Sequence, residues 1–170
     1  YCVQRIQAAK IDAKNARRTL GGDDVFEAGQ LRYWSICQNE FYSQKVKECL
    51  YDEQINVNPD GFYTIVTSTD GDRPANATED CGVGYLPWPD DGDGFGIVEG
   101  RRSRPDDALL IVRNMLPAAD FAEAIQNTSV AGDEADVMGE YLPKARYYSK
   151  AEFEALGCNP WSSLPYDGLE

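Results

Sequence analysis

The chain has 170 residues, 42% hydrophobic and 11% aromatic, a composition that folds around a core and is not that of a disordered chain. Its net charge of −13 and pI of about 4.4 argue against nucleic acid as a partner, because phosphate binding needs clustered Lys and Arg. Five cysteines and no histidine leave no way to build a Ser-His-Asp triad, a Cys-His pair, an HExxH site or a CxxCH haem attachment within it.

The first expected element is a helix. Val3, Ile6, Ala9, Ala13, Ala16 and Leu20 recur at helical spacing, and Gly21-Gly22 ends the run. Arg5, Lys10, Lys14, Arg17 and Arg18 stand there against Asp12 alone, so residues 1–20 carry +4 and the rest of the chain −17. Residues 1–22 therefore read as a basic helical arm and residues 23–170 as one domain. The arm either lies on its own acidic body or engages an acidic neighbour. Tyr1 in place of Met points to a processed or trimmed chain.

Beta signals follow. Residues 31–37 and 62–67 are rich in strand formers, and the turn Asn58-Pro-Asp-Gly61 precedes the second. Residues 109–115 begin with a continuous apolar run, as a buried strand does, and 95–98 read as a short edge strand. The intervening stretch 87–105 is long and rich in Gly, Asp and Arg. Toward the C-terminus, Asp120 and Glu123 stand at capping-box spacing for a helix over 120–126. Ser149 and Glu152 repeat that spacing, with Gly157 where a left-handed C′ residue belongs. Residues 141–148 read as extended and laid across the sheet. The expected fold class is α+β and mostly β: a β-sandwich-like antiparallel sheet domain with an N-terminal amphipathic helix and short C-terminal helices.

The cysteines are Cys2, Cys37, Cys49, Cys81 and Cys158, with no CxxC pair for a zinc ribbon or a thioredoxin-like site. Cys37 and Cys49 flank a polar stretch able to turn back as a hairpin, and a bridge there contributes on the order of 3 kcal/mol in the chain-entropy model. Cys81–Cys158 is the second expected pair, which leaves Cys2 as a free or interchain thiol. The triplets beginning at Asn76 and Asn127 match the glycosylation acceptor pattern. Together these features point to a secreted, extracellular or periplasmic protein.

Four blocks then stand in order: Arg32-Tyr-Trp-Ser35, Asp60-Gly-Phe-Tyr-Thr-Ile65, Gly84-Tyr-Leu-Pro-Trp-Pro89 and Leu110-Ile-Val-Arg-Asn-Met-Leu-Pro117. Their order resembles the bacterial domain-of-unknown-function family 1214 over roughly residues 30–117. The resemblance implies a β-sandwich-like domain of an envelope or exported protein, and it implies no catalytic residues. Gly84-Tyr85 stands where that family has Asn-Trp.

The candidate site residues are few. Tyr85 and Trp88, beside the long loop, read as a stacking platform for a sugar or a protein partner. Arg113, inside an apolar strand, reads either as the partner of a buried carboxylate or as an anion contact. Asp90, Asp91 and Asp93 place three carboxylates on one loop, the oxygens a hard cation takes, yet the loop lacks the Glu that closes an EF-hand, so no cofactor is expected and Ca²⁺ binding is weak or absent. Absence of histidine and of any nucleophile motif favours a secreted or envelope binding and assembly domain over an enzyme. Its expected partners are a second copy or another extracellular protein. The alternative is a hydrolase that uses two carboxylates on a sugar. No run of about 20 apolar residues is available to span a membrane.

Overall fold

The computed structural model describes residues 2–7, 30–90, 92–94 and 106–164, the first stretch by its backbone alone. Among the described residues seven strands form two sheets. They are β1 (Cys2–Gln7), β2 (Leu31–Glu40), β3 (Val46–Tyr51), β4 (Phe62–Ser68), β5 (Gly84–Pro87), β6 (Ala108–Pro117) and β7 (Lys144–Tyr147). One sheet has the order β5-β4-β1-β7 and the other β3-β2-β6. Every pairing is antiparallel except β4–β5, which is parallel. Among the described residues two short helices, α1 (Glu134–Met138) and α2 (Lys150–Ala155), accompany these strands in a mostly-β α+β fold.

Alternation along the strands decides which side chains meet. Trp34 and Ile36 of β2 pack against Tyr63 and Ile65 of β4 and Leu86 of β5, so the two sheets share one core. The Trp34 and Tyr63 rings lie 4.7 Å apart in a tilted arrangement. The opposite face of β4 presents Val66, which packs with Val83, Phe153 and Leu164 in a second cluster. The C-terminal segment thus covers the outer face of the β4–β5 sheet.

Both expected disulfides are present. Cys37 and Cys49 are direct cross-strand partners of the β2–β3 hairpin. Their Cα atoms are 4.0 Å apart, the short spacing of a non-hydrogen-bonded antiparallel pair. Cys81–Cys158 ties the 3-10 turn Glu79–Cys81 to the segment after α2 across 77 residues. The capping box of α2 is complete: the Ser149 hydroxyl accepts from the Glu152 N–H, and the Ser149 N–H donates to the Glu152 carboxylate. Gly157 follows in the left-handed region with φ 73°.

Three expectations are corrected. The chain does not begin as a helix: Cys2–Gln7 is strand β1, set between β4 and β7. The spacing of Val3 and Ile6 suits a helix, but two neighbouring strands offer this backbone a hydrogen-bond ladder on each side. Residues 8–29 lie outside the described residues. Residues 120–126 form turns, not a capped helix, followed by a 3-10 turn at Ile125–Asn127. Phe121 and Ala124 are drawn into the core, and Asn127 Nδ2 donates to the carbonyls of Phe121 and Ala122. That side chain thus takes up backbone acceptors of the segment. Residues 141–148 contribute β7, which extends the sheet at its edge beside β1 instead of crossing its face. The strand expected at 95–98 lies outside the described residues.

Candidate functional site

Edge strands β3 and β5 border a cleft of about 370 Å³. Glu48 and Leu50 of β3 form one wall. Gly84, Tyr85 and Pro87 of β5 form the other, and the turns carrying Asp70, Arg73 and Glu79 close its end. Gly84 keeps the walls close, since a Cβ there would sit 3.0 Å from Leu50 Cδ1 and 3.2 Å from Ile55 Cδ1. Gly82 adopts φ 71° after the Glu79–Cys81 turn, with Asn58 and Trp161 against the space a side chain would need. The Cys81–Cys158 bridge fastens this turn from behind.

Tyr85 is held firmly. Its hydroxyl lies 2.9 Å from the Ser68 carbonyl, 3.2 Å from the Thr69 carbonyl and 3.3 Å from Asp70 Oδ1. It carries one proton, so these acceptors share it. Burial pushes its pKa up, with Asp70 adding to the shift. The Arg73 guanidinium lies 4.2 Å from the centre of the Tyr85 ring, in cation–π geometry. Arg73 also donates from Nε (3.2 Å) and Nη2 (2.7 Å) to the Ala77 carbonyl. The cleft's cation and aromatic ring are thus committed to its frame. The exposed carboxylates of Glu48, Asp70 and Glu79 set its charge. Among its lining residues none is Ser, Thr, Cys, Lys or His.

The other candidates fall elsewhere. Trp88 donates from Nε1 to the Asp106 carbonyl at 2.7 Å and does not line the cleft, so it forms no paired platform with Tyr85. Arg113 is exposed on β6, which corrects the expected buried ion pair. Leu110 and Val112 of that strand turn toward the core, and alternation sends residue 113 the other way. Asp93 accepts hydrogen bonds from the Tyr42 N–H (3.0 Å) and the Ser43 N–H (2.7 Å). The bonds from Ser43 first, then Tyr42, hold its carboxyl below the usual range. This carboxylate ties the β2–β3 turn. Asp90 is exposed and Asp91 lies outside the described residues. Among the described residues no group of three or more His, Cys, Asp or Glu is arranged to hold a metal. Asn76 Nδ2, the atom a glycan would occupy, donates to the carbonyls of Phe153 (2.9 Å) and Gly157 (2.7 Å). Asn127 is spent on the 121–122 turn in the same way. Cys2 lies in β1, and its side chain is outside the described residues.

Sequence reasoning named Tyr85 and missed Glu48, Asp70, Arg73 and Glu79. Asp70 and Arg73 share one Gly- and Pro-containing turn, a local signal that marks a loop and no chemistry. Glu48 reaches the cleft only because β3 and β5 become neighbouring edges of two different sheets. No family model, no curated protein and no solved structure matches this chain. No helix among the described residues is long and apolar enough to cross a membrane.

Proposed function

We propose that this chain is a secreted or cell-envelope binding and assembly domain that acts by contact and not by catalysis. The observation that carries the reading is the cleft between β3 and β5. Its ring and its guanidinium are already fixed to backbone carbonyls, which preorganises the wall. Three exposed carboxylates line it, Asp70 and Glu79 each taking one hydrogen bond from the wall, so the ligand that fits is a small polar one bearing positive charge. Two disulfides support an oxidising compartment. The ordered blocks that resemble family 1214 accord with export, and self-association belongs to the same reading.

The test is an NMR titration of the folded chain with tetralysine. Shifts should cluster at Gly84, Tyr85 and Glu48, weaken with salt, and shrink in a Glu48→Gln/Glu79→Gln double variant. Shifts spread over the surface, or none, would sink the cleft as a binding site. The hydrolase alternative draws on the same three carboxylates. It requires two of them to face each other across a sugar, about 5–9.5 Å apart. Release of reducing ends from cellotetraose, lost in Glu48→Gln, would favour it over binding alone.

A further inference from the structure

The four sheet edges are not protected alike. β7 has four residues and carries Lys144 and Arg146. β5 has four and ends in Pro87. β3 has six, carries Lys47, and is interrupted by a register shift opposite Gln38 and Asn39. Short length, charge, proline and bulges are the usual ways to keep an edge from pairing with another chain. β6 is different. It runs ten residues, is apolar from Ala108 to Val112, and pairs along one side with β2.

The direction of its free groups can be read off. Gln126 Nε2 donates to the Asn114 carbonyl, while Gln38 Nε2, from β2, donates to the Leu109 carbonyl. Even-numbered residues of β6 therefore turn their backbone groups away from β2, and odd-numbered ones toward it. Along the apolar half the outward groups belong to Ala108, Leu110 and Val112.

We propose that β6 pairs with β6 of a second copy of this chain, antiparallel about a two-fold axis at Leu110. This deepens the self-association part of the reading above and is independent of the cleft. In that register Leu110 faces the partner's Leu110 and Ala108 faces the partner's Val112. Each is a hydrogen-bonded pair, because each uses outward groups. The next odd-numbered position places Asp107 opposite the partner's Arg113. Arg113 is exposed on the face turned away from the core, and Asp107, one residue before β6 begins, falls at the same alternation. The two-fold repeats the pair, giving two Asp–Arg contacts that flank the apolar centre. A one-residue slip would oppose inward-turned groups to outward ones and lose the ladder. A slip of two residues would keep the ladder and separate the charges. Charge complementarity and outward backbone groups thus select one register, and the strand is its own complement. The two three-stranded sheets would join into one of six, an isologous contact that closes at a dimer.

Sedimentation equilibrium and light scattering of the full chain decide it. The expected mass is twice the 18.9 kDa of one chain. Arg113→Asp or Asp107→Arg alone should raise the dissociation constant more than about tenfold, since each opposes like charges twice. Arg113→Asp combined with Asp107→Arg should restore the dimer. A monomer at every concentration, a dimer indifferent to both single reversals, or a double variant that stays dissociated would each overturn the proposal. Scattering mass and the tetralysine shifts are separate measurements, so failure of one reading leaves the other standing.

Discussion

Asp52, just past the end of β3, shows how a single side chain sets a pH response. Its two carboxylate oxygens are buried, and the backbone N–H groups of Asp52 and Glu53 beside them offset only part of the cost. Burial pushes its pKa above the usual carboxylate value of 3.8, helped by the nearby charge of Glu53. The folded state therefore holds this proton more tightly than the unfolded chain does. Its contribution is greatest below the unfolded value and is lost as pH rises through the raised folded one. Asp52→Asn removes the titration. We expect the variant to be more stable than the parent at pH 7, with the difference shrinking toward pH 3.5. Urea denaturation at the two pH values checks this, and an equal difference at both would refute it. Asp93 works in the opposite sense. Its lowered pKa favours the charged form, so its tie to the β2–β3 turn weakens as pH falls through its folded pKa.

At the scale of elements, α2 is six residues long and is not stable by propensity alone. Its capping box and the burial of Phe153 keep it in place. Asn76 adds two side-chain bonds, to the Phe153 carbonyl in its last turn and to the Gly157 carbonyl just beyond it. Ser149→Ala should cost about 1 kcal/mol, measured as a shift in the urea midpoint. A shift indistinguishable from zero would mean that packing of Phe153 alone holds the helix. The same residues were legible in the sequence, because a capping box acts across four positions and needs no distant partner. The segment 120–126 carried the same spacing and formed turns. There the core took Phe121 and Ala124, and tertiary burial outweighed the local pattern.

At the scale of the molecule, the Cys81–Cys158 bridge joins the cleft's rear turn to the C-terminal layer. Closing a loop across 77 residues is worth up to about 4.5 kcal/mol in the chain-entropy model. The Cys81→Ser/Cys158→Ser double variant should lose a large part of that in urea denaturation. Amide exchange should quicken in α2 and around Gly82 before it does in β2. Uniform quickening would show that the bridge supports the whole fold and not one layer.

The amino-acid sequence by itself determined what depends on near neighbours and on composition. The Cys37–Cys49 hairpin, the Asn58–Gly61 turn, the capped helix at 150 and the long strands β2, β4 and β6 all follow from alternation, turn chemistry or short spacing. The missing histidine likewise fixed which chemistries this chain is unable to perform alone. Only the tertiary structure decided that Cys2–Gln7 is a strand, because its partners β4 and β7 lie more than 50 residues away. Only it placed Glu48, Asp70, Arg73 and Glu79 around Tyr85, and only it set β6 at the end of its sheet with Arg113 exposed. Such residues have no spacing in common. They meet because burial of Trp34, Ile36, Tyr63, Ile65 and Leu86 presses two sheets together, and what the sheets' edges then face is a property of the packing.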